Sequence, residues 1–127
     1  MQYRTDDLRI REIKELTPPS HVLRDLGVTE KAAKTVVETR QQIHRVLHGA
    51  DDRLVVIIGP CSIHDVKAAK EYVSRLAEAC TKLGRDLLIV MRVYFEKPCT
   101  TIGWKGLIND PKLDGSFSIN EGLRIAR

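Results

Sequence analysis

The sequence predicts an α/β fold, and three observations carry that prediction. Two short apolar runs rich in β-branched residues, "LVVIIG" from Leu54 and "LLIVMRVYF" from Leu87 to Phe95, read as strands buried on both faces. Between them lies a segment of helical length that starts on Asp65, a capping residue, and stops at Gly84. Strand, helix and strand in that order make a βαβ unit, whose crossover is almost always right-handed. Two parallel strands need cover on both faces and further neighbours, so this order predicts the opening of a larger α/β protein.

The elements follow in order. "MQYRTDDLRIREIKEL" is polar with alternating Leu8, Ile10 and Ile13, and reads as an extended arm or a short strand. Pro18 and Pro19 break any helix, after which Ser20 can cap a short one and Gly27 can end it. Thr29 opens a longer helix that puts Ala32, Ala33, Val36, Val37, Ile43, Val46 and Leu47 on one face, with Gly49 placed to terminate it. The helix from Asp65 to about Leu83 carries an apolar stripe of Ala69, Tyr72, Val73, Leu76, Ala77 and Cys80. More than twenty residues without periodicity, "EKPCTTIGWKGLINDPKLDGSF", come next, and a loop of that length in a compact domain is either functional or the sign of a misread element. Ser118 and Glu121 have capping-box spacing and open a last helix that runs toward Arg127.

Composition narrows the function. The chain has 127 residues, 43% hydrophobic and 30% charged, which is the balance of a globular protein and not of a disordered one. Its net charge of +4 is dispersed and aromatics are only 5%, so nucleic acid is not the expected partner. A few basic residues meant for phosphate or carboxylate groups give the same balance. No run approaches membrane-spanning length and no secretory leader is apparent. Cys61, Cys80 and Cys99 are therefore expected to be reduced thiols of a cytoplasmic protein with no membrane partner.

In barrels and open α/β sheets the working residues sit just past the C-terminal ends of the strands. Cys61 lies there, and three readings stay open: a metal ligand, a nucleophile with His64 as the only nearby base, or a small buried packing residue, which residue type alone favours. Gly59-Pro60-Cys61-Ser62 lacks the spacing of a phosphate-cradling P-loop. Arg92 interrupts the second run and reads either as a structural ion pair or as an anion clamp. Lys97 and Lys105 alone are ordinary loop lysines, but Thr100 and Thr101 between them add hydroxyl and amide donors. The group suits a phosphorylated, carboxylated small molecule.

The segments "GPCSIHD", "MRVYFEKP", "TT", "GWKGLINDP" and "DGSF", in this order and preceded by "DDLRI" and "EIKEL", resemble the start of the metal-dependent 3-deoxy-D-arabino-heptulosonate 7-phosphate (DAHP) synthases of type I. The likeness is strongest to the phenylalanine-sensitive form. The resemblance implies a (β/α)8 TIM barrel with an N-terminal extension. A barrel of about 250 residues makes this chain a truncated portion. Residues 1–50 would be the extension, arm and helices with oligomer and regulatory contacts, and residues 51–127 the start of the catalytic barrel.

The implied activity is the condensation of phosphoenolpyruvate with erythrose 4-phosphate, releasing phosphate, at the entry to the shikimate pathway of aromatic amino acid biosynthesis. The implied cofactor is a divalent metal ion (Mn, Fe, Co or Zn), with Cys61 matching a ligand. Arg92 and Lys97 match residues that hold phosphoenolpyruvate, and Lys105 is a further contributor. Pro98, Thr100 and Thr101 fall in the segment that contacts erythrose 4-phosphate. That segment reads "KPCTT" here, so Cys99 stands where the family has arginine, and an uncharged thiol cannot replace a guanidinium on a sugar phosphate. Asp6 and Asp7 match an acidic pair that serves the phenylalanine-inhibitor site of a homo-oligomer. The family's other metal ligands come from later strands, so the chain alone is expected to be inactive. The alternative is a non-catalytic partial barrel, an association module or a truncation product. A sister synthase using a different aldose is disfavoured by "KGLINDP" and the arm.

Overall fold

A computed structural model describes residues 6, 8–10, 12–97 and 102–127. Its elements are α1 (Pro19–Asp25), α2 (Glu30–Leu47), β1 (Leu54–Ile58), α3 (Val66–Leu83), β2 (Leu87–Met91) and α4 (Ile119–Ala126). β1 and β2 pair in parallel, from Leu54 opposite Leu87 to Ile58 opposite Met91, with α3 as the crossover. The chain is thus mixed α/β around the βαβ unit its patterning predicts.

Local chemistry explains most of the helix ends. Asp65 Oδ1 accepts from the amides of Lys67 at 2.7 Å and Ala68 at 3.0 Å, satisfying two donors that the first turn of α3 leaves open. The bonds from Ala68 and Lys67 hold its carboxyl below the ordinary aspartate value. Thr29 Oγ1 caps α2 through the Ala32 amide at 3.2 Å. At the other end Gly49 takes φ 71°, and the Gly49 and Ala50 amides return to the carbonyls of Val46 and Arg45 at 3.1 and 2.9 Å. This is the Schellman arrangement, which a glycine accommodates without a Cβ penalty.

Elsewhere the structure departs from the pattern. α1 starts at Pro19, whose fixed φ suits a first helical position, and the carbonyl of Pro18 takes the His21 and Val22 amides; Ser20 caps nothing. It ends at Asp25, before Gly27. The capping box at α4 does not form. Ser118 Oγ lies 3.2 Å from Ser116 Oγ, and Glu121 pairs with Lys112 at 2.7 Å. β2 stops at Met91 rather than Phe95, and no strand occurs among the described residues before α1.

The burial expected of the strands is not met. Leu107 (1% exposed), Leu88, Ile63 and Val22 are buried, whereas Leu54 and Ile57 of β1 are 66% and 69% exposed. The sheet of the described residues is two strands wide, so each strand has one free edge and its faces are only partly covered.

At the N-terminal end of β1, Arg53 forms a clasp. Its guanidinium bonds Asp51 at 2.7 Å, Gln42 of α2 at 3.1 Å and the Gly84 carbonyl after α3 at 3.4 Å. The hydrogen bond from Arg53 holds the Asp51 carboxyl down to about 2.

Candidate functional site

β1 and β2 end side by side at Ile58 and Met91. The next residues, Gly59 and Arg92, lie backbone against backbone: a Cβ on residue 59 would collide with the Arg92 carbonyl oxygen. Glycine is therefore what allows the strand ends to stay together as the first chain turns away. Arg92 lies one residue past β2, its amide still bonded to the Ile58 carbonyl at 2.8 Å.

The Arg92 side chain folds back over the turn that follows β1. Its Nη1 donates to the carbonyl oxygens of Pro60 at 2.9 Å and Cys61 at 2.8 Å. The guanidinium carbon sits 4.7 Å from the centroid of the Tyr94 ring, within the range of a cation–π contact. The Tyr94 carbonyl in turn takes the Ile63 amide at 2.8 Å. Among the described residues Arg92 has no carboxylate partner, so the ion-pair reading is replaced by a clip on the Gly59–Ile63 turn. That turn points its two small side chains differently. The Cys61 thiol is exposed, which removes the buried-packing reading, while Ser62 Oγ is buried without a hydrogen-bond partner among the described residues.

The long loop doubles back on itself. Glu96 and Gly106 form an isolated antiparallel bridge, the Lys97 amide donates to the Lys105 carbonyl at 3.1 Å, and the Leu107 amide to the Phe95 carbonyl at 2.7 Å. Lys97 and Lys105 are thereby joined through their main chains, just beyond Arg92 in sequence. Gly106 has φ 121° and no room for a Cβ against Phe95, so its lack of a side chain permits the bridge. Pro98, Thr100 and Thr101, with Cys99, lie outside the described residues, as does Asp7; Asp6 is exposed in the arm.

Residues that local patterning missed support the hairpin. Asp110 is only 6% exposed. Its Oδ2 accepts from the Gly115 amide at 3.1 Å, its carbonyl accepts from Trp104 Nε1 at 2.8 Å, and its Oδ1 has no partner among the described residues. The only sequence signal was a lone tryptophan and an Asn-Asp-Pro turn inside a long non-periodic stretch.

The metal expectation meets a clear limit. Among the described residues no group of three or more His, Cys, Asp or Glu side chains is placed to hold an ion. Cys61 offers one exposed thiol and, among the described residues, nothing around it completes a coordination sphere, so these residues do not by themselves fit a metal centre. No helix of the described residues is long and apolar enough to cross a membrane.

The sequence profile of the DAHP synthetase I family matches residues 28–126, from the turn before α2 to the end of α4. The chain belongs to the DAHP synthetase I family. Over all 127 residues it is 63% identical to the Phe-sensitive phospho-2-dehydro-3-deoxyheptonate aldolase of Escherichia coli K12, covering 36% of that protein. It is 51% identical over 124 residues to the phenylalanine-inhibited enzyme of Saccharomyces cerevisiae, with 98% of this chain and 34% of the relative aligned. A solved phospho-2-dehydro-3-deoxyheptonate aldolase from Francisella tularensis SCHU S4 superposes with a TM-score of 0.87 at 52% identity, covering 93% of this chain and 35% of that one. The chain thus spans about a third of the length of these DAHP synthetase I relatives, and the likeness expected from its motifs holds along its whole length.

Proposed function

We propose that this chain contributes part of the active site of an enzyme that condenses phosphoenolpyruvate with erythrose 4-phosphate to DAHP and phosphate. The observation that carries the reading is that Arg92 holds the Cys61 turn beyond the C-terminal ends of two parallel strands, with the Lys97–Lys105 hairpin following Arg92 in sequence. In this reading β1 and β2 are the first strands of a (β/α)8 barrel, and exposed Leu54 and Ile57 are apolar surface that further strands and helices would cover. Family membership and the relatives' names support it.

The substrate dictates what the site must do. Phosphoenolpyruvate carries a carboxylate and a phosphate, so cations must hold it. The turn occupies Arg92 Nη1; among the described residues nothing accepts from its Nε or Nη2, and we assign that edge to the anion. Lys97 and Lys105 add positive charge on a hairpin that fixes their main chains. In the reaction, C3 of phosphoenolpyruvate bonds to the aldehyde carbon, water adds at C2, and the bond from C2 to the phosphate oxygen breaks. Pro98, Thr100 and Thr101 are assigned to the sugar phosphate, with Cys99 weakening that contact. Cys61 would give one thiolate to a divalent ion (Mn, Fe, Co or Zn) whose remaining donors this chain's described residues do not supply. We place the enzyme in cytoplasmic aromatic amino acid biosynthesis, as a homo-oligomer inhibited by an amino acid such as phenylalanine through the arm at Asp6 and Asp7.

A second reading is favoured by the same exposed strand residues: a non-catalytic partial barrel that works by associating with more structure. The two separate when phosphoenolpyruvate is titrated into the isotope-labelled chain. The catalytic reading expects shifts at Arg92 Nε and at the Lys97 and Lys105 amides, with Arg53 unmoved. Shifts of equal size at Arg53, or none at Arg92, would remove the assignment.

A further inference from the structure

Asn120, at the start of α4, holds the main chain of the N-terminal arm with both ends of its amide. Its Oδ1 accepts from the Thr17 amide at 2.8 Å and its Nδ2 donates to the Glu15 carbonyl at 3.0 Å. One turn further along, Arg124 bonds Asp25 of α1 at 3.0 Å. Another side of the same helix carries the long loop. Gly122 lies so close to the backbone of Ile108 that a Cβ would collide with it, and Glu121 pairs with Lys112 at 2.7 Å. Ile108 directly follows Leu107, whose amide closes the Lys97–Lys105 hairpin on Phe95.

α4 therefore stands between the arm and Ile108, the residue that follows the hairpin, and touches both. We propose that Asn120 is a positioning residue through which the arm steadies the hairpin that carries Lys97 and Lys105. What the hairpin holds rests on the function proposed above; the tie itself does not. Because Asn120 grips main-chain atoms, it senses where residues 15–17 run and not which side chains they bear. Releasing the arm removes two hydrogen bonds from the first turn of α4, and the seat of Gly122 on Ile108 loosens with them. Spatial adjacency alone does not demonstrate coupling, so the test must separate the tie from ordinary support of the fold.

Hydrogen exchange on the 127-residue chain does so in two independent ways, with Asn120→Ala and with residues 1–17 deleted. The expected result is exchange about fivefold faster at the Lys97 and Leu107 amides in both variants, the effect of losing one or two weak bonds. The Val56 and Val90 amides of the sheet stay unchanged. If the deletion leaves the hairpin amides at the parent rate, the arm does not act on them and the proposal fails. Loss of protection throughout β1 and β2 in the deleted chain also overturns it, because the arm would then support the whole fold. So does a parent chain whose hairpin amides are unprotected. Should Asn120→Ala unfold, the deletion alone decides. No substrate enters the measurement, so its failure is distinct from failure of the catalytic reading.

Discussion

Arg92 donates from Nη1 to the carbonyl oxygen of Cys61 at 2.8 Å, reaching from the residue after β2 to the turn that follows β1. One side chain thus fixes the main chain at Cys61, whose thiol is exposed. The clip predicts that Arg92→Ala speeds alkylation of Cys61, followed by peptide mapping, and lowers stability by about 1 kcal/mol, the exposed end of the range for bonds to a charged donor. Arg92→Lys recovers less than half of either effect, since an ammonium cannot bridge two carbonyls and stack on Tyr94 in the same way. Equal behaviour of lysine and arginine would contradict the clip.

Gly59 is expected to tolerate no side chain. Gly59→Ala drives a methyl into the Arg92 carbonyl and should cost about 1–3 kcal/mol in denaturant unfolding, as overpacking does. Gly27→Ala, where nothing lies within 4 Å, serves as the control and should be near neutral. Comparable losses at both positions would show that the strand ends are not in close contact.

The parts legible in the sequence are those decided within a few residues. Asp65 and Thr29 cap the amides that follow them, and Gly49 closes α2 on its own last turn, so spacing suffices. Ser118 and Glu121 have the same kind of spacing, yet Ser116 and Lys112 hold their side chains, and the capping box does not form. Strand burial failed for a different reason: an apolar run records the cover a strand needs, and Leu54 and Ile57 lack that cover here. Asn120 was invisible because its partners lie 103 and 105 residues away. Cys61 was placed correctly at a strand end by topology, but only the path of the turn shows that its thiol faces outward and Ser62 inward.

The Asp51–Arg53 clasp predicts a pH dependence. The Asp51 carboxyl is lowered from 3.8 to about 2, first by the side-chain hydrogen bond of Arg53 and then by the Arg53 amide. A depressed folded-state value means that the stabilisation is full above the ordinary carboxylate range and is lost as pH falls through about 2. Thermal unfolding between about pH 4 and pH 2 should therefore show a steeper loss in the parent than in Asp51→Asn. Parallel curves would show that the clasp does not stabilise the fold.

Asp110 gives a prediction for the support behind the hairpin. Asp110→Ala removes the acceptor that holds the exposed Gly115 amide and should cost about 0.5–1.5 kcal/mol, measured by urea unfolding. A neutral result would mean that this loop is not held from within.

Under the proposed function, Cys99 falls in the segment assigned to the aldehyde substrate. In a full-length chimera, Cys99→Arg should lower the KM for erythrose 4-phosphate by about tenfold to a hundredfold, the worth of one charge-assisted contact, and leave that for phosphoenolpyruvate in place. A change confined to phosphoenolpyruvate would reassign the position.

The central claim is that these residues form the opening part of a DAHP-forming site. It is tested most directly by replacing the matching 127 residues of the Escherichia coli relative with this chain and measuring phosphate release from phosphoenolpyruvate with Mn²⁺. Release that requires erythrose 4-phosphate, falls sharply with Arg92→Ala or Lys97→Ala, and is absent from the 127-residue chain alone is the predicted result. A folded chimera that releases no phosphate, or one indifferent to both substitutions, would contradict it.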